Sequence, residues 1–266
     1  MDKNFIKEII NKTKVFLLDM DGTIYLDSTP IGDMINTLDK LRKAGKKIVY
    51  FTNNSSKTVS EYQNKLNNIG FWREGDEVYS SGTSAIWYLR KHHKNKRVYL
   101  LGTDELIKSF KDSGIIIDDK NPEIAMLAYD TTIDFSKIKL FNEFLVKGAT
   151  YIATHPDMVC PSKDISMPDV GSFIKMFEGS SGRLPEVIIG KPYGYMGEML
   201  EENFAIDRDK ITMVGDRIYT DIKFGINCGF NSILVLSGET TKEIYKQSGV
   251  EPTLVLDSFN DVAELL

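Results

Sequence analysis

Two aspartates, Asp19 and Asp21, stand one residue apart just after the apolar run Val15 to Leu18. Three more apolar runs end in polar groups. Ile48 to Phe51 leads into Thr52, Asn53, Asn54 and Ser55; Val187 to Ile189 leads into Gly190 and Lys191; Ile211 to Val214 leads into Gly215, Asp216 and then Asp221. Asp19 and Asp216 are hard oxygen donors suited to Mg2+, which takes one or two carboxylates, several waters and a substrate phosphate. Four carboxylates gathered without a cation would raise one another's pKa. Phosphate fits the remaining parts. Thr52 and the backbone amides around Asn53 and Met20–Asp21 suit its oxygens, and Lys191 offers a positive charge to a phosphoryl group. Gly22 lets the chain bend sharply past Asp21.

Taken singly, each of these has a plain structural reading: a turn, a helix cap, a solvated lysine. Their position argues for more. Ligands of an open parallel sheet bind beyond the carboxyl ends of its strands, and each group comes directly after a run of strand length. The runs are apolar but for Thr212, as in strands buried on both faces. Helix-period segments lie between them, such as Met34, Leu38, Leu41 and Ala44, or Val59, Tyr62, Leu66 and Ile69 behind the capping box Thr58 to Glu61. Further runs at Val98–Leu101, Ile124–Ala128, Tyr151–Ala153, Ser232–Leu236 and Thr253–Leu256 complete the alternation. The fold class read from this pattern is α/β: a Rossmann-like, doubly wound parallel sheet. Turn-rich stretches at Ser80–Ser84 and Gly179–Pro185 bracket a smaller inserted α/β domain. The expected division is a core of 1–78 and 186–266, with an insertion of 79–185.

The string Asp19, Asp21, Gly22, Thr23, with Thr52, Lys191 and Gly215, Asp216, Asp221, resembles the four motifs of the haloacid dehalogenase superfamily. The longer strings Phe51 to Thr58, Gly190 to Pro192 and Val214 to Arg217 are similar to its NagD-like, nitrophenyl-phosphatase branch (subfamily IIA), whose α/β cap is inserted between the second and third motifs. The resemblance implies a Mg-dependent phosphomonoesterase acting on small phosphorylated metabolites through an aspartyl-phosphate. It gives Asp19 the role of nucleophile and Asp21 that of general acid and then base. Mg2+ would be held by Asp19, the Asp21 carbonyl and Asp216. Lys191 would hold Asp19 and the phosphoryl oxygens, and Asp221 would orient Lys191 or a metal-bound water. A phosphotransferase or phosphomutase on the same site, and a phosphate-sensing module without turnover, are the alternatives.

Within the insertion, Asp130, His155 and Asp157 come after strand-like runs and are the expected readers of the leaving group. The matching loop in the family often begins Thr-Asn, whereas this chain has Thr154 and His155. The basic run Arg90 to Arg97 reads as a helix end whose cations suit the macrodipole.

Composition narrows the partners. The chain has 266 residues, 42% hydrophobic and 27% charged, with formal net charge −5. That is a globular balance and disfavours general binding of a nucleic-acid polymer, which needs basic surface. No apolar run approaches the roughly 18 residues of a membrane span, and Met1 to Lys14 lacks the apolar centre of a secretory leader. Two cysteines, Cys160 and Cys228, make no CxxC pair, so a reduced, cytoplasmic protein is expected. The expected partner is a small phosphate ester, and the resemblance leaves a homodimer open.

Overall fold

A computed structural model describes residues 3–160 and 165–266. In the first part of the chain the strands are β1 (Val15–Leu18), β2 (Tyr25–Leu26), β3 (Thr29–Pro30), β4 (Lys47–Thr52) and β5 (Glu77–Ser80). The middle part contains β6 (Arg97–Leu101), β7 (Ile116–Ile117), β8 (Ile124–Leu127), β9 (Thr150–Ala153), β10 (Val159–Cys160), β11 (Met167–Pro168) and β12 (Val187–Ile188). The last part adds β13 (Ile211–Gly215), β14 (Asn231–Val235) and β15 (Leu254–Leu256). The β2–β3 and β10–β11 pairs are small and antiparallel.

The chain divides into two compact units. The first comprises the segment ending at Thr52, then Tyr62–Tyr79 and Gly197–Leu266; the second comprises Asn53–Glu61 and Ser80–Met196.

The first unit is built on a six-stranded sheet in the order β15-β14-β13-β1-β4-β5. β1 is central and pairs in parallel with β4 on one side and β13 on the other. The chain fills one half of the sheet first and the other half later, so the order reverses across β1. That reversal is the switch point where an open α/β sheet binds ligands. Phe16, Leu17 and Leu18 of β1 and Ile211, Met213 and Val214 of β13 are completely buried. Each such side chain contributes about 1.5–3 kcal/mol on leaving water, which fixes the strand ends that carry the polar groups. The N-terminal helix Lys3–Lys12 buries Ile6, Ile9 and Ile10, an amphipathic face.

The second unit carries a five-stranded parallel sheet, β12-β9-β8-β6-β7. Its core joins Tyr99, Phe141, Phe144, Tyr151 and Phe177, with Phe141 set 4.6 Å from Phe177 and edge-on to Tyr151 at 5.5 Å. The run at Val187–Ile189, read from sequence as a strand of the larger sheet, instead supplies β12, which pairs with β9. Its residues Val187 and Ile188 are only half-buried, as befits a short edge strand. Ser80–Ser84, read as a linker, is the start of the helix Ser81–His92. Ser80 and Thr83 cap it reciprocally, so the polar stretch serves as a helix start. Among the described residues no helix is long and apolar enough to cross a membrane.

Candidate active site

In the first unit the register places Leu18 beside Val214 and Tyr50, so the residues just past β1 and β13 emerge together at one edge. The Asp19 N–H donates to the Val214 carbonyl at 2.9 Å, prolonging the ladder by one bond. The chain then turns. The amides of Thr23 and Ile24 donate to the Met20 carbonyl at 3.2 and 2.9 Å, and Gly22 takes φ +84°. A Cβ on Gly22 would overlap the Asp216 carboxylate, so glycine is required here for both conformation and space.

Oxygens of Asp19, Asp216 and Asp221 all lie within 4.8 Å of one another. Asp216 is buried; it accepts Thr23 Oγ1 at 3.3 Å and the Glu239 N–H at 2.7 Å. Burial, then the negative charge of Asp19, pushes its carboxyl up to about 6. Asp221 is also buried and accepts the Arg217 N–H at 3.1 Å. It sits in the π-helical turn Ile218–Ile222, directly over Gly215, where any Cβ would collide with its carboxylate. Asp21, at the turn, has its carboxyl raised chiefly by loss of water, against the pull of Lys65, with Asp19 and Asp27 adding to the rise. Three acids crowded at the end of a buried sheet repel one another. Hard oxygen donors at this spacing fit a small divalent cation.

Thr52 ends β4 and is buried in the first unit; its chain neighbour Asn53 opens the second. Asn53 is buried and its amide pairs with the backbone of Lys191: the Lys191 N–H donates to Asn53 Oδ1 at 2.8 Å, and Asn53 Nδ2 donates to the Lys191 carbonyl at 3.0 Å. The side-chain amide therefore serves the lysine loop. Lys191 itself is among the most deeply buried large side chains of the protein.

Of the residues expected to read a leaving group, Asp130 and His155 are buried and Asp157 keeps a little exposed surface. Asp130 is fully enclosed; it pairs with Lys137 Nζ at 2.7 Å and accepts the Thr132 N–H and hydroxyl at 2.8 and 2.7 Å. His155 has no exposed surface and lies between Asp157 and Asp169. Asp157 accepts Asn53 Nδ2 through both its oxygens, at 3.1 and 3.2 Å. Two contributors escape the sequence reading, Asp169 and Glu239. Asp169 carries a usable signal: it stands after Pro168 and before the helix-period apolar residues Val170, Ile174 and Phe177, an N-cap pattern. Glu239 acts on Asp216 through its backbone, which no side-chain pattern reveals.

The description "Haloacid dehalogenase-like hydrolase" matches residues 16–116, and a second, HAD-hydrolase-like description matches residues 188–262. An acid sugar phosphatase of Staphylococcus haemolyticus is 31% identical, the alignment covering 94% of each chain. Phosphoglycolate phosphatase 2 of Arabidopsis thaliana is 29% identical over 98% of this chain and 95% of its own. The crystal structure of a 4-nitrophenylphosphatase from Thermotoga maritima superposes with a TM-score of 0.92 at 40% identity, covering 96% of this chain and 98% of that one. With its acidic cluster at the switch point of the sheet, this chain belongs to the haloacid dehalogenase-like hydrolases, in their NagD-like, nitrophenyl-phosphatase branch, and is a phosphatase.

Proposed function

We propose that the protein is a Mg-dependent phosphomonoesterase that hydrolyses small phosphorylated metabolites through an aspartyl-phosphate on Asp19. The observation that carries this reading is the meeting of Asp19, Asp216 and Asp221 at the end of β1 and β13, with Asp21 two residues beyond Asp19. Asp19 attacks phosphorus, and the bond from phosphorus to the leaving oxygen breaks. Asp21 delivers its proton to that oxygen; a carboxyl held above its ordinary range suits an acid near neutral pH. Asp21, now a carboxylate, takes a proton from the water that attacks phosphorus in the second step, and Asp19 is released with inorganic phosphate. The family resemblance gives Lys191 the positive charge for the phosphoryl oxygens, and Thr52 with the amides of Met20, Asp21 and Asn53 their binding. Asp19, Asp216 and the Asp21 carbonyl would hold Mg2+, with Asp221 behind them; when bound, the ion offsets the charge that develops on the phosphoryl group.

The relatives named for sugar phosphates and phosphoglycolate support small anionic esters as the substrate class. A phosphate-release screen over such metabolites and p-nitrophenyl phosphate, with and without Mg2+, tests the proposal. Wild type should turn over only with the metal. Asp19→Asn should melt like wild type and release no phosphate, and turnover by that variant at the wild-type rate would refute the nucleophile. Transfer to a sugar acceptor in place of release would favour a transferase.

A further inference from the structure

We infer that His155, Asp157 and Asp169 form a largely buried relay that positions Lys191 through the amide of Asn53, with His155 present as the imidazolium. The inference rests on the reading of Lys191 as part of the phosphatase site. All five residues lie in the second unit.

Asn53 bonds both the N–H and the carbonyl of Lys191, at 2.8 and 3.0 Å, much as a neighbouring strand would. Only one orientation of the amide allows this. Flipped, its NH2 would face the Lys191 N–H, donor against donor. Asp157 fixes that orientation, because both of its oxygens accept from Asn53 Nδ2. Asp157 is itself faced by His155, with Nδ1 at 3.8 Å from Oδ2. The other ring nitrogen, Nε2, lies 3.5 Å from Asp169 Oδ1. Asp169 is anchored in turn, since the same oxygen caps the helix Val170–Ser181 by accepting the Val170 N–H at 2.7 Å.

A neutral imidazole has one N–H and one lone pair, so it would turn the lone pair toward one of these two carboxylates. Only the imidazolium is attracted to both, here at ion-pair distances longer than hydrogen bonds. One positive charge between two acids stiffens the group, because buried charge pairs interact more strongly than exposed ones. The packing is built for close approach. A Cβ on Gly190, the residue before Lys191, would lie 2.6 Å from Asn53 Oδ1 and 2.8 Å from His155 Cβ. His155 therefore acts as a positioning residue. It has no exposed surface with which to touch a substrate.

The experiment uses the full chain with His155→Phe, which keeps a ring and loses the charge, and Asp157→Asn, which keeps the shape. Hydrolysis of p-nitrophenyl phosphate and hydrogen exchange at the Lys191 amide are measured for both. The expected result is a kcat lowered roughly tenfold to a hundredfold, as for a misplaced catalytic group, with KM nearly unchanged and faster exchange at Lys191. In wild type, nitrogen NMR of the three histidines should show His155 with both ring nitrogens protonated. Folded variants with wild-type kcat and wild-type exchange at Lys191 would overturn the relay. So would a neutral His155 ring, or a KM that shifts only for some leaving groups. Should His155→Phe not fold, Asp157→Asn decides, since that side chain lies nearer the surface. Faster exchange in both variants, in a protein whose wild type hydrolyses nothing, would support the relay and sink the phosphatase mechanism instead.

Discussion

Asp216 and Glu239 are joined by a backbone-to-carboxylate hydrogen bond of 2.7 Å, the Glu239 N–H donating to Asp216 Oδ2. The Glu239 side chain also pairs with Arg217, the residue after Asp216, at 2.8 Å. Nearby, Ser237 Oγ donates to the Gly22 carbonyl at 2.9 Å. The loop after β14 is thus stitched to the ends of both β13 and β1. It holds a buried carboxylate still through a neutral donor.

The two stitches to β13 differ in weight. The ion pair is solvent-facing on the Glu239 side, with that side chain 64% exposed, and exposed pairs contribute about 0–1 kcal/mol. The amide survives most substitutions. Glu239→Ala should therefore lower the melting temperature only slightly and leave the Mg2+ requirement of hydrolysis intact. A large loss of Mg2+ affinity in titrations of this variant would show that the side chain does more than fasten the loop.

Gly22→Ala should be severe by comparison. The residue adopts φ +84°, which L side chains rarely take, and its Cβ would displace Asp216. The backbone strain alone costs on the order of 1 kcal/mol. The chain should still fold, because the sheet core does not depend on this turn. Phosphate release should fall by roughly a hundredfold, the effect of misplacing a reacting group. Steady-state kinetics and circular dichroism on one preparation check both halves of the prediction.

Asp216 also gives a pH prediction whose sign is fixed. Its carboxyl lies at about 6 in the fold, whereas an unperturbed aspartate titrates near 3.9. The folded chain therefore binds more protons across that window. Without a cation, this group's contribution to stability falls as pH rises through the window. A divalent cation needs the ionised form and supplies the missing charge. Adding Mg2+ should thus raise the melting temperature well above pH 6 and progressively less as the pH falls toward about 5. An equal rise at both ends of the range, measured by calorimetry, would place the cation elsewhere.

Much of this site is legible in the sequence because its chemistry sits at strand ends. Val15 to Leu18 and Ile211 to Val214 are too apolar to be anything but buried, and residues just past a buried parallel strand emerge at the ligand edge. Pairing is less legible. Val187 and Ile188 carry no mark that sends them to β9, since the partner of a short apolar strand is set by the packing around it. β5 escapes notice because Glu77 to Ser80 alternates half-buried and buried residues and opens with an acid. Side-chain direction is the least legible of all. Asp130 and His155 stand where residues of a ligand edge would stand, yet both side chains are buried.

Asp130 makes that last point testable. If it read the leaving group, Asp130→Asn would change KM in a way that depends on the ester. In the structure it closes the turn after β8, bonding Thr132 twice and Lys137 once. Asparagine keeps one acceptor oxygen and the shape, but leaves Lys137 without its charge partner. Lys137 is partly exposed, so water recovers some of that loss. The net cost should be about 1–3 kcal/mol, as for a buried hydrogen-bonded group losing its partner. Denaturant melts should show this drop, while KM values for p-nitrophenyl phosphate, a sugar phosphate and phosphoglycolate stay at their wild-type ratios. Shifted ratios in a variant of undiminished stability would return Asp130 to the substrate.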